Sequence, residues 1–318
     1  MSTTASMKDK KVVITGGAGF IGSNLAAELA SSNEVAVIDD LSTGRVENIR
    51  QLLAGPGIRL IEGTITDLSL VQKALAGADY VFHLAAIASV PLSVDHPLRT
   101  NEVNVLGTLN VLVAARDHRV KKVVFSSSCA VYGDTPSLPA RETMPTTPLS
   151  PYAVTKAAGE QYCAVFHHVY GLSTVSLRYF NVYGPRQNPE SEYAAVIPKF
   201  ITAALSGQPM VIFGDGLQTR DFVFVKDVVS ANIRAAETDA CGVFNIGSGR
   251  QTSVIGLAKI VLKLTRRNMD PVHRAPRPGE VRHSFADISK AAGFGYHPTH
   301  TLEEGLRQTI EWFAGTKL

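Results

Sequence analysis

One glycine-rich turn, Thr15-Gly16-Gly17-Ala18-Gly19-Phe20-Ile21-Gly22, constrains this chain more than any other stretch. It follows the apolar run Val12-Val13-Ile14, so a strand must turn abruptly into a helix. Gly16 suits the tight turn, Gly19 lets backbone come within contact distance of a pyrophosphate, and Gly22 lets the helix lie close on the strand. The helix N-terminus then aims unpaired amides and a partial positive charge at the diphosphate. Glycine turns are common, and the context decides the reading. The next strand, Glu34 to Ile38, ends at Asp39, 23 residues beyond Gly16. That is close to the spacing of a carboxylate that accepts hydrogen bonds from the ribose of a dinucleotide. The same carboxylate would repel a 2′-phosphate, and Asp40-Leu41-Ser42 brings no arginine, although Arg45 lies a little further on. NAD is favoured over NADP.

Short apolar runs at 11–16, 34–39, 58–62, 79–84, 121–127 and 173–178 alternate with amphipathic stretches near 20–31, 67–76, 96–118 and 152–169. Runs rich in Val, Ile and Phe suit strands buried on both faces. Their alternation with helices predicts an α/β fold with a doubly wound parallel sheet, whose ligands sit at the carboxyl ends of the strands. After Tyr179 the elements become shorter and loops carry charge, as in Gly184-Pro185-Arg186-Gln187-Asn188-Pro189. The stretch 243–247 reads as a strand returning to the first sheet. The expected organisation is therefore a tail at 1–10, a Rossmann-type dinucleotide-binding domain at 11–180, and a smaller α/β substrate domain at 181–318 interleaved with it. Leu302 to Phe313 reads as a closing amphipathic helix, with Trp312 a packing residue.

The 318 residues suffice for one large or two interleaved domains. A formal charge of +3, scattered along the chain, argues for neither nucleic acid nor anionic lipid as a partner. Residues 1–10 lack the apolar core of a signal peptide and read as a mobile polar tail, and no apolar run approaches a membrane span. Cys129, Cys163 and Cys241 lie far apart without metal-ligand spacing and read as reduced thiols of a cytoplasmic protein. No metal site is predicted; His167-His168 reads as a structural pair on a helix.

The second chemical cluster is Ser150-Pro151-Tyr152-Ala153-Val154-Thr155-Lys156 at a helix start. Tyr152 and Lys156, four apart, share a helix face. A phenol with an ordinary pKa of about 10 becomes a base near neutrality only with about 4 kcal/mol of selective phenolate stabilisation. Lys156 can supply one positive charge and an oxidised nicotinamide another. A hydroxyl from the strand end Phe125-Ser126-Ser127-Ser128 can hold a substrate hydroxyl in line for proton transfer.

Together, the glycine turn, the serine strand end and Tyr-x-x-x-Lys resemble the extended short-chain dehydrogenases/reductases. Within them the chain is most similar to NAD-dependent nucleotide-sugar 4-epimerases of the UDP-glucose 4-epimerase and UDP-N-acetylglucosamine 4-epimerase type. The resemblance runs over roughly residues 10 to 315, through His83-Leu84-Ala85-Ala86, Val131-Tyr132-Gly133-Asp134, 178–186, Thr219-Arg220-Asp221-Phe222 and 277–290. It implies that Tyr152 is the base, that Lys156 holds the nicotinamide ribose and depresses the tyrosine pKa, and that Ser128 orients the sugar 4-hydroxyl. It implies further that Gly16, Gly19, Phe20, Ile21, Gly22, Asp39, Thr64, Ile65 and Leu84-Ala85-Ala86 line a tightly bound NAD. Ser89, Asn181, Val196, Phe213, Arg220, Arg277 and Ser284 would hold the UDP-sugar, the two arginines clamping its diphosphate. Asn104 would support a backbone or water link behind the site, or make a core polar contact. Relatives pair helices near 96–118 and 152–169 into a homodimer.

Three departures bear on function. Thr64 stands where many relatives carry an aspartate against the adenine, and Ala88 where some carry a lysine, so the resemblance does not supply those two cofactor contacts. Cys129-Ala130 replaces the acidic pair of sugar-nucleotide dehydratases, which removes the general acid for elimination and favours epimerisation. Ser284 stands where relatives restricted to UDP-glucose and UDP-galactose carry tyrosine. With Tyr193-Ala194-Ala195-Val196-Ile197-Pro198, it implies that UDP-GlcNAc and UDP-GalNAc are accepted alongside the non-acetylated pair. The alternatives are a UDP-sugar dehydratase or UDP-glucuronate-modifying enzyme of the same fold and, from another class, a non-catalytic NAD-sensing protein.

Overall fold

Seven of the apolar runs pair side by side in one parallel sheet. The computed structural model describes residues 7–135, 137–189, 195–276 and 281–315. Its first six sheet strands are β1 (Lys11–Thr15), β2 (Glu34–Asp39), β3 (Ile58–Glu62), β4 (Tyr80–His83), β5 (Lys122–Ser128) and β6 (Thr174–Tyr179). A seventh, Gly242–Ile246, returns from the C-terminal part to lie parallel to β6, and the strand order is 242–246, β6, β5, β4, β1, β2, β3. Side chains alternate between two cores. Val12, Ile14, Val35, Val37 and Phe82 enter one, and Val13, Ala36, Ile38, Val81 and Phe125 the other. Both faces are therefore dry, which is why these strands read as continuous apolar runs rather than as alternating ones.

Helices α1 (Phe20–Leu29) and 225–237 cover one face; α3 (Leu68–Leu75), α6 (Gly107–Asp117) and α7 (Pro151–Tyr170) cover the other. A short α2 (Arg50–Leu53) precedes β3. The seam between β1 and β4 marks where the strand order reverses, and the site should open there at the carboxyl ends. Helix α7 is punctuated as its sequence suggests. Ser150 caps it by accepting from Ala153 N at 3.2 Å, Pro151 occupies the first turn, and Gly171 closes it at φ +69°.

The stretch expected as one helix at 96–118 is instead broken. It consists of α5 (Pro97–Asn101), a π-helical turn at Glu102–Leu106, and α6. The buried Asn104 lies in that turn. Its side chain accepts from Ile87 N at 2.8 Å and donates to Ile87 O at 3.1 Å and Thr155 Oγ1 at 3.0 Å. It is a core polar clamp that fixes the loop after β4 against α7. A further short helix, α4 (Val90–Asp95), was not legible among the loop residues. Residues 7–10, expected as part of a mobile tail, are held in place: Met7 is buried, its carbonyl accepting from Asn33 Nδ2, and Lys10 N donates to Asn33 Oδ1.

A third core, built from Tyr183, Phe200, Ile212, Phe224, Leu257 and Phe313 among others, organises the residues beyond 181. Ile21 and Val182 pack against both this core and the first. The wall between the two halves of the molecule is thus shared, and the site lies along it.

Candidate active site

The glycine turn is built as its spacing requires. Gly16 sits at φ +71°, and a Cβ there would lie 2.7 Å from Ala85 N. Helix α1 begins at Gly19 with no side-chain cap, so its first amides are left for a ligand. Asp39 is buried. It accepts from Ala18 N and Leu41 N, each at 2.9 Å, which oppose the upward push of burial on its pKa. A ribose hydroxyl would find this carboxylate already fixed in place. These features, a side-chain-free cradle at a helix start followed by a held carboxylate, fit a dinucleotide.

From this turn a single cleft of about 1530 Å³ runs along the carboxyl ends of the strands into the C-terminal half. Its walls include Gly16, Gly19, Phe20, Ile21, Gly22, Asp39, Thr64, Ile65, Leu84, Ala85 and Ala86 at one end. Ser128, Tyr152 and Lys156 lie along it, and Ser89, Asn181, Val196, Phe213 and Arg220 line the rest. The Thr64 hydroxyl pairs with Thr66 Oγ1 at 3.0 Å, so its reach toward a base is shared with that contact. Ser89 caps α4 by accepting from Leu92 N. Arg220 is held by the carbonyls of Thr219 at 2.9 Å and Arg282 at 3.3 Å. Its neighbour Asp221 is buried and ties Ser248, Gly249 and Ala286 together.

Arg277 lies outside the described residues, as do Tyr193 and Ala194. Ser284 is not on the wall. Its amide donates to Thr219 O at 3.2 Å, and its side chain neighbours Cys129. Cys129 is half-buried, and the loss of solvent pushes its thiol up to about 11. Conversely, Trp312, expected only to pack, also lines the cleft. So do Gln187 and Gln218, which the sequence reading passed over. Asn181 Oδ1, Gln187 Oε1 and Gln218 Oε1 are buried acceptors with no donor among the described residues. Three such oxygens on one wall call for a polar ligand with several donors.

At the centre of the cleft Tyr152 is buried, its phenol beside the Ser128 side chain. Ser128 Oγ is itself oriented, accepting from Ala130 N at 3.2 Å. Lys156 Nζ donates to Ser126 O at 2.7 Å and lies 5.9 Å from the centre of the Tyr152 ring. Burial pulls the lysine down to about 8 and pushes the phenol up to about 12, the neighbouring Ser128 side chain opposing the latter. A positive charge brought beside the phenol would lower it.

The comparisons agree with this geometry. Residues 12–247 match the model of the NAD dependent epimerase/dehydratase family. A UDP-N-acetylglucosamine 4-epimerase from Methanobrevibacter ruminantium, solved with UDP-N-acetylmuramic acid, is 46% identical with a TM-score of 0.95, covering 97% of this chain and 99% of that one. The UDP-glucose 4-epimerase of Thermotoga maritima, solved with UDP-glucose, is 41% identical with a TM-score of 0.91, covering 96% and 98%. The UDP-glucose 4-epimerase of Mycolicibacterium smegmatis is 41% identical over 95% of this chain and 98% of its own length.

Proposed function

We propose that this chain, which belongs to the NAD dependent epimerase/dehydratase family, interconverts UDP-hexoses at carbon 4. We take UDP-GlcNAc/UDP-GalNAc as substrates, with UDP-glucose/UDP-galactose beside them. The observation that carries this reading is the gathering of Ser128, Tyr152 and Lys156 on one cleft, Lys156 Nζ 5.9 Å from the centre of the Tyr152 ring, with the glycine cradle and Arg220 on the same cleft. Gly16, Gly19, Phe20, Ile21 and Gly22 would hold the NAD diphosphate, Asp39 its adenosine ribose, and Lys156 its nicotinamide ribose. NAD, when bound, supplies the hydride acceptor and, oxidised, a positive ring beside the phenol. Tyr152 takes the proton of the sugar 4-hydroxyl while Ser128 holds that hydroxyl in line, and returns it once the 4-keto sugar has turned over in the cleft. Arg220 and Asn181 keep the UDP end anchored during that turn, the guanidinium suiting phosphate oxygens. The absence of a carboxylate at 129 or 130 supports epimerisation over dehydration, since the Cys129 thiol is a poor acid there.

The test is to incubate purified protein, without added cofactor, with each of the four UDP-sugars. The expected result is copurified nicotinamide and conversion within each pair at conserved mass. Loss of water or of carbon dioxide would instead identify a dehydratase or a decarboxylase, and no turnover with retained NAD a sensor.

Sugar range is carried by position 284. A serine there is smaller than the tyrosine of relatives restricted to the non-acetylated pair. Ser284→Tyr should lower turnover of the acetylated pair by about tenfold or more relative to the other pair, the scale of a steric clash in a substrate pocket. Equal loss on both pairs would mean that the tyrosine only displaces Cys129.

The reading includes a cytoplasmic homodimer. It is supported by a stripe of exposed apolar side chains, Val94 and Leu98 on α4 and α5 with Val154, Val165 and Val169 on the outer face of α7. Leu98 is 87% exposed, which a second copy of the same helices would cover. No described helix is long and apolar enough to cross a membrane.

A further inference from the structure

Behind the cleft lies a buried ion pair that the chemistry above does not use. Glu160 accepts from Arg178 Nε at 2.8 Å and Nη2 at 2.7 Å, and both side chains are about 4% exposed or less. Glu160 also accepts from Ser127 Oγ at 2.5 Å. The Arg178 guanidinium lies 4.6 Å from the centre of the Tyr132 ring, and the Tyr132 hydroxyl donates to Asn245 on strand 242–246. The segment that carries Ser128 is therefore gripped on both sides: Ser127 before it rests on the carboxylate, and Tyr132, at the end of the turn after it, rests on the guanidinium. On α7, Glu160 falls one turn beyond Lys156 and two beyond Tyr152.

We propose that Glu160 and Arg178 are positioning residues: the pair sets the register of the helix bearing Tyr152 and Lys156 against the strand end bearing Ser128, and the Glu160 carboxylate holds Lys156 as an ammonium. This rests on the catalytic reading of those three residues. The groups facing Lys156 are Tyr152, Glu160 and Cys163 on its own helix, His83 on β4, the Ser126 carbonyl and Phe125 ring on β5, and Tyr179 and Arg178 on β6. Burial holds His83 down to about 3 and Cys163 up to about 12, so both are neutral around pH 7. Glu160 is the carboxylate in this set. Its charge raises the proton affinity of Lys156 against the pull of burial.

The sign of the effect follows. Removing the carboxylate lowers the pH at which Lys156 gives up its proton. Glu160→Gln keeps an acceptor for Ser127 and removes the charge. It should move the alkaline fall of turnover to lower pH by about 1 unit, the low end for a charge within a few ångströms. Most activity should remain on the acid side. Because this variant strands the buried Arg178 cation, the double variant Glu160→Gln/Arg178→Gln, which leaves no unpaired charge, should shift in the same direction but by less, the opposing cation being lost with the carboxylate, if the single one fails to fold. Ser127→Ala removes the tether but not the charge, and should lower turnover severalfold with the alkaline fall unmoved. Trace labelling of Lys156 by an amine-reactive reagent across pH, read by mass spectrometry, should show the same displacement in Glu160→Gln. That readout stands whether or not UDP-sugars turn over. An unchanged pH profile, or a loss equal at every pH together with unshifted Lys156 labelling, would overturn the proposal.

Discussion

Tyr152→Phe is expected to lower UDP-sugar turnover about a thousandfold, within the range of a lost general base, while the protein keeps its fold and its copurified NAD. The hydroxyl is the group at stake. The ring is buried at the α7 N-terminus, where Tyr152 N donates to Ser93 Oγ at 3.1 Å, and phenylalanine preserves that packing. The chain by itself pushes the phenol up to about 12. Bringing it near neutrality asks for roughly 7 kcal/mol of phenolate stabilisation. That value already counts the Ser128 side chain, so the stabilisation must come from positive charge brought into the cleft. A base so placed is acidic only when that charge is present, which confines proton removal to the loaded site. The measurements are turnover with each UDP-sugar, nicotinamide released on denaturation, and thermal midpoint. Turnover within tenfold of wild type would remove Tyr152 from the reaction, whereas joint loss of turnover, cofactor and fold would assign it a packing role.

Much of this was legible in local sequence because local sequence determines it. Seven strands were located to within about a residue, since burial on both faces forces continuous apolar runs. The caps of α7 could be read from Ser150, Pro151 and Gly171. What escaped depends on contacts across the chain. The break in the helix at 102–106 answers to Asn104 reaching back to Ile87, 17 residues away, and no periodicity within the helix announces that. The rise of the Tyr152 pKa is a matter of depth, which spacing does not encode. Glu160 and Arg178 read as ordinary polar residues of an amphipathic helix and a strand until folding buries them together. Resemblance to relatives with tyrosine at that position made Ser284 a wall residue, but its amide is tied to Thr219 O and it does not line the cleft. Gln187 and Gln218 carried no motif, and only the enclosure of their oxygens singles them out.

Gly22→Ala and Gly19→Ala should separate two functions of one turn. At Gly22 a Cβ would stand 2.2 Å from Gly16 O and 2.8 Å from Gly17 Cα, both backbone atoms that cannot swing aside. Helix α1 would have to back away from the strand, taking its packing in the first core with it. Overpacking of that kind costs about 1–3 kcal/mol, occasionally more, and it also withdraws the amides of the first turn from the diphosphate. A lowered thermal midpoint and a preparation nearly free of nicotinamide are expected together. At Gly19 the added carbon meets only Gly16 O, at 3.1 Å, a gap that a few tenths of an ångström relieves. That residue faces the cleft, so its methyl would intrude where the ligand's phosphates approach. The expected outcome there is a near-native thermal midpoint with much reduced nicotinamide content. Equal behaviour of the two variants, in either stability or cofactor content, would mean that the turn does not divide its work between holding the helix and admitting the ligand.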